Sequence, residues 1–165
     1  RHLELPPEQE RFERIARSRE VIREEVLSKD YDAWFSWESD IIVPTSALGD
    51  LVKILNLGNS LLVAHNNWAR EVHGMYNYDW GLALIKREAL EKYSFLLEFG
   101  SDSDMPHSYE PSEEWFRRRI IRDGGSFIHI DGVINPVLHL DDNEKFQEFI
   151  NSNEKSKLFE KNRIQ

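Results

Sequence analysis

The segment Tyr31-Asp32-Ala33-Trp34-Phe35-Ser36-Trp37-Glu38-Ser39-Asp40-Ile41-Ile42-Val43-Pro44 constrains the fold more than any other part of the chain. Ala33–Trp37 is a continuous run of aromatic and small residues, which predicts a central strand covered on both faces. The run stops at Glu38 and Asp40, and a second apolar run then stops at Pro44. Acids in this place lie at the carboxyl end of the strand, where open α/β sheets bind their ligands. Two carboxylates separated by one residue can hold a hard divalent cation and the phosphates it carries.

The neighbouring segments alternate in type. Residues 7–28 read as a helix with Pro7 near its start and a loose apolar stripe of Phe12, Ile15, Ala16, Val21, Ile22 and Val26. Arg11, Arg14, Arg17, Arg19 and Arg23 fall on the other face, expected to be solvated and bridged to Glu13, Glu20 and Glu24. After the acids, Pro44-Thr45-Ser46 opens a helix that hydroxyls are placed to cap, with Leu48, Leu51, Val52, Ile54 and Leu55 on its inner face. Ser60–Ala64 and Trp80–Ile85 read as strands, with a short helix over Lys86–Tyr93. Helix, strand, helix, strand in this order predicts an α/β domain with a mixed, mostly parallel central sheet flanked by helices.

Further along, Pro111–Asp123 reads as a helix with Glu113 and Glu114 in its first turn, where the helix dipole favours acids, and Gly124-Gly125 ends it. Ser126–Ile130 and Val133–Leu138 read as strands joined by a tight Asp131-Gly132 hairpin, with His139 at the strand end. Asp141-Asp142-Asn143 caps a last amphipathic helix, so a single domain over 1–150 is followed by a polar tail over 151–165. Between the strands, His65 to Asn77 crowds His65, Asn67, Trp68, His73 and Tyr76 into a segment without a period, which reads as a surface loop or a pocket wall. Gly81 in a strand predicts close approach of a ligand or a neighbouring backbone. Asp102 and Asp104 repeat the spaced-acid pattern in a loop of turn formers, best read as a polar loop.

Composition narrows the function classes. Twenty-one basic against thirty acidic residues give a formal charge of −9, which argues against sequence-independent nucleic-acid binding. The chain has no cysteine, so thiolate metal sites, disulfides and cysteine nucleophiles are excluded. No apolar run approaches the roughly 20 residues that span a bilayer, and no signal-peptide pattern opens the chain, so a cytoplasmic location is expected. The first residue is Arg1 rather than methionine, which leaves room for sequence and further domains upstream.

Taken in order, these pieces resemble the second half of a GT-A glycosyltransferase domain of the family-2-like kind. An arginine-rich helix (Arg14-Ile15-Ala16-Arg17-Ser18-Arg19) leads to a strand ending in an Asp-x-Asp-like Glu38-Ser39-Asp40, then a proline and a helix. Trp80-Gly81-Leu82-Ala83-Leu84-Ile85-Lys86-Arg87-Glu88-Ala89-Leu90 looks like the glycine-bearing strand and helix that follow in that family. Glu113-Glu114-Trp115-Phe116, Gly124-Gly125 and His139 are similar to its acidic pair, its helix-glycine-strand unit and its terminal histidine. Two departures stand out: Glu38 replaces the first aspartate, and the strand and loop that bind the nucleotide base in the family have no counterpart here.

The resemblance implies a metal-dependent transfer of a sugar from a nucleotide-diphosphate donor (a UDP- or GDP-sugar) to a hydroxyl acceptor. It implies Mn²⁺ or Mg²⁺ held by Glu38, Asp40 and His139, and a diphosphate met by Arg14, Arg17 and Ser39. If transfer inverts, Glu114 is the first candidate for the base, with Glu113 and Asp104 behind it. Trp68, His73, Tyr76, Trp80 and Gly81 are implied at the acceptor. The competing expectations are a non-catalytic carbohydrate- or protein-binding module, and an acidic inhibitor-type protein.

Overall fold

The computed structural model describes residues 11–65, 80–96 and 112–139. The expectations for Trp68, His73, Tyr76, Asp102, Asp104, the last helix and the tail therefore lie outside the described residues. In chain order the elements are α1 (Arg11–Leu27), β1 (Ala33–Trp37), β2 (Ile41–Ile42), α2 (Ala47–Leu55), β3 (Leu62–His65), β4 (Leu82–Lys86), α3 (Arg87–Lys92), α4 (Ser112–Arg122), β5 (Ile128–Ile130) and β6 (Leu138–His139).

The class is α/β, and the sheet of four strands is ordered β1-β4-β3-β5, with β2 and β6 forming a separate pair. The sheet is mixed but not mostly parallel. β4 runs antiparallel to both β1 and β3, and only β3 and β5 pair in parallel. β1, β3 and β5 thus share one direction, and β4 inserts between the first two in reverse. Leu82–Ile85 is buried on both faces, and such a run reads the same in either direction, so its apolar pattern carried no sign of the reversal.

Among the described strands β1 stands at the edge rather than at the expected central place. Its residues are only half-buried, whereas β3 and β4, built of small and aliphatic residues, are buried almost throughout. Large aromatic rings reach far enough to shield an outer strand. The Trp34 ring packs edge-on to Phe95 with centroids 5.4 Å apart.

Alternation along the strands sorts the side chains into two layers. Leu62, Ala64, Ala83 and Ile85 face α1, α3 and α4, where they meet Val26, Leu90, Tyr93, Phe95, Phe116 and Ile120. Val63, Leu82 and Leu84 face α2, where Ala47, Leu51 and Leu55 close the other layer. The inner stripe of α2 is thus set at strict spacings of four. Leu48 and Val52, expected inside, are 45% and 41% exposed. Ser46 does precede the helix, but its side chain makes no capping hydrogen bond.

The expected Asp131-Gly132 hairpin does not form. β5 extends the main sheet beside β3, while β6 leaves it to pair with β2. The apolar pattern of both strands suited a hairpin, but β5 gains a buried partner in β3 that the hairpin would not supply. The two glycines before β5 do different work. Gly124 takes a positive φ of 74° and ends α4. At Gly125 a Cβ would stand 2.9 Å from Ile120 Cγ2, so the close return of the chain onto its own helix needs glycine.

Candidate functional site

The acids after β1 sit on a braced turn. The Glu38 N–H donates to the Gly81 carbonyl at 2.8 Å, which continues the β1–β4 ladder by one residue. Ile41 N–H returns to the Glu38 carbonyl at 3.2 Å. The Trp37 indole N–H donates to the Ile41 carbonyl at 2.8 Å, closing the turn from the side-chain side. Beyond it, the β2–β6 ladder sets Ile41 directly opposite His139. The main chain of His139 is thereby brought beside Asp40, although the two are far apart in sequence.

Arg19 ties this turn to the start of α4. Its guanidinium meets Glu38 Oε1 at 3.2 Å, donates to Ser112 Oγ at 3.2 Å, and pairs with the Glu113 carboxylate. Ser112 Oγ also donates to Glu113 at 3.1 Å. Glu113 is only 5% exposed, so a cation is what keeps its charge tolerable there. Glu114, 2% exposed, is satisfied within its own helix by Arg117 Nε at 2.8 Å and Arg118 Nε at 2.9 Å. Both acids of the pair therefore hold arginines, and both are withdrawn from solvent.

The solvated arginine face expected on α1 is corrected in part. Arg17 is exposed and pairs with Glu13 at 2.7 Å. Arg19 and Arg23 turn inward instead. Arg23 bonds the Leu90 carbonyl and reaches Glu20 at 2.7 Å. Buried Glu20 also accepts from Phe95 N–H at 2.8 Å and Ser94 Oγ at 3.0 Å, which clamps the chain after α3 onto α1. Arg119 grips the same segment from α4 through the Ser94 and Leu96 carbonyls. A signal for Arg19 existed: it lies three residues after Ala16 and seven before Val26, on the stripe that turns inward. Ser112 carried no sequence signal beyond helix capping.

A groove of about 500 Å³ runs between α1 and β1, bordered by Arg14, Ile15, Ser18, Arg19 and Ile22 and by Trp34 through Glu38. Arg14 is exposed at it, while Arg17 is not among its lining residues. Trp80, expected at an acceptor, is a core residue. It is 3% exposed, with its ring centroid 5.6 Å from that of Phe116. Among the described residues no three histidine, aspartate or glutamate side chains are arranged to hold a metal ion. Glu38, at 3.2 Å from Arg19, is engaged elsewhere.

His129 on β5, although its surface is exposed, has its pKa lowered, first by desolvation from the groups around it, then by the Arg117 charge and His65, with Asp131 partly offsetting them. The folded chain therefore takes up this proton at lower pH than the unfolded chain. Above the ordinary histidine value of about 6.5 the group has no effect, and stability falls as pH drops through and below it. His129→Gln should flatten that part of the pH dependence between pH 7.5 and 5, read from denaturant midpoints. An unchanged slope would remove His129 as its source.

No known protein family, no curated protein and no solved structure matches this chain.

Proposed function

We propose that this chain is a GT-A-like catalytic unit that transfers a sugar from a nucleotide-diphosphate donor to a hydroxyl acceptor. The observation that carries the proposal is the meeting, at the carboxyl end of β1, of pieces from three parts of the chain: the Glu38–Asp40 turn, the His139 position opposite Ile41, and the Glu113 helix start joined through Arg19. Asp40 and His139 would hold a Mn²⁺ or Mg²⁺ ion, with donor phosphate oxygens completing its shell. Such an ion neutralises the charge of the leaving diphosphate as a Lewis acid. Arg14, exposed at the open groove, suits a phosphate oxygen. Arg19 pairs with both Glu38 and Glu113 and so links the turn to the start of α4. Glu113 or Glu114 would serve as base in an inverting transfer, and either must first be released from its arginine.

Titration with UDP- and GDP-glucose, with and without Mn²⁺, tests the proposal. Metal-dependent binding is expected, and Asp40→Asn should abolish the metal dependence while leaving the thermal midpoint unchanged. Binding that ignores both the metal and the substitution would sink the assignment of Asp40. One observation favours a second reading, a non-catalytic module: Glu38, Glu113 and Glu114, all proposed for the chemistry, are each already paired with an arginine. No donor binding at millimolar concentration, with or without Mn²⁺, would select that reading.

A further inference from the structure

Among the described residues no strand pairs with the outer edge of β1. The ladder to β4 places Ala33 opposite Lys86 and Trp37 opposite Leu82. At its ends Glu38 N–H donates to Gly81 and Arg87 N–H donates to Asp32, each at 2.8 Å. Main-chain groups alternate in direction along an antiparallel strand. Asp32, Trp34, Ser36 and Glu38 therefore turn theirs toward β4, and Ala33, Phe35 and Trp37 turn theirs outward. No described residue bonds those outward N–H and C=O groups. Nor does the strand carry the lysine, proline or bulge with which sheets commonly guard an edge.

The α1 groove runs along this same edge. Five consecutive residues, Trp34 to Glu38, border it. Side chains alternate between faces, so consecutive residues share one groove only where it follows the backbone edge. Ile15 and Ile22 of α1 wall it on one side, and Ile22 is 43% exposed. Because α1 and β1 join through a short turn, they run in opposite directions, with Arg19 level with Glu38. Arg14 lies about 7 Å further along at helical rise, past the end of the strand. It forms no ion pair among the described residues.

We propose that the open edge of β1 receives an extended segment of another polypeptide as an added strand. The segment is apolar at the alternate positions that face Ile15 and Ile22, and it carries a carboxylate at the Arg14 end. Main-chain hydrogen bonds to Ala33, Phe35 and Trp37 supply the affinity; the apolar wall and Arg14 supply the selectivity. A second copy of this chain fits less well. Two-fold pairing of β1 with itself would bring the partner's own first helix to the same face of the sheet, beside α1. The proposal stands apart from sugar transfer, although a peptide carboxylate and a donor diphosphate would compete for Arg14.

The probe is a capped nonapeptide of alternating valine and threonine with glutamate at one end, set against the same peptide N-methylated at every valine and threonine. Amide exchange followed by NMR should show new protection at Ala33, Phe35 and Trp37 with the first peptide and none with the second. The even-numbered amides, already held by β4, should not change. Ala33→Pro removes an outward N–H at the first residue of the strand, where the ladder to β4 is spared. It should weaken peptide binding about tenfold, the equivalent of one hydrogen bond, with an unaltered melting curve. Nucleotide-sugar binding should survive Ala33→Pro, so failure of the strand proposal and failure of the transferase proposal are told apart. Absence of protection at millimolar peptide, or equal protection by the N-methylated peptide, overturns the inference. So does protection that grows with protein concentration in the absence of peptide, because a second copy then takes the edge.

Discussion

Arg19→Met should lower the unfolding free energy by about 3 kcal/mol, because it leaves a buried carboxylate without its cation. Glu113 is 5% exposed and has Arg19 and the Ser112 hydroxyl as its partners, so methionine restores packing volume without compensating the charge. The contact to Glu38 adds less, since that side chain is 36% exposed and its pairing is screened by water. Adding Glu113→Gln to Arg19→Met should recover most of the loss, since the pair is then replaced by neutral groups rather than broken. Guanidinium denaturation of the two single variants and the double variant measures this coupling. A double variant as unstable as the sum of the singles would show that Arg19 and Glu113 do not depend on one another.

A loss of about 4 kcal/mol is expected for Phe116→Ala, through the cavity it opens at the centre of the larger core layer. Phe116 is fully buried. Its ring stacks on Phe95 with centroids 4.4 Å apart and takes Trp80 and Tyr93 edge-on at 5.6 and 5.8 Å. These rings come from three separated segments, so one truncation loosens the segment before β4, the chain after α3, and α4 together. Phe35→Ala, on the half-buried edge strand, should cost clearly less. Equal losses at the two positions in urea titration would contradict the placement of the core.

Much of the local structure follows from the chain itself. Ala33–Trp37 is a strand as its aromatics predict, and the continuous apolar runs in Leu62–His65 and Leu82–Lys86 match their two-sided burial. Acids in the first turn of α4 and glycines at its end bound that helix as expected. Pro44 and Ser46 mark the start of α2, although the serine does not cap it by its side chain. These features are legible because each depends on a few neighbouring residues: steric preference, alternation, and the unsatisfied groups at helix ends.

The acid pair at the end of the β1 run was legible from sequence for the same reason, since strand end and turn are local events. Its surroundings were not. That Glu38 is held by an arginine of α1, that the same arginine reaches Glu113, and that His139 returns beside Asp40 depend on contacts between remote segments. The direction of β4 and the edge position of β1 also depend on which strand pairs with which, and an apolar run looks alike from either side. The amino-acid pattern alone determined that Glu38 and Asp40 close an aromatic strand. Tertiary structure decided that this strand stands at the edge of the sheet formed by the described residues and that its first acid faces a cation, because pairing and ion contacts are settled by long-range packing rather than by local preference.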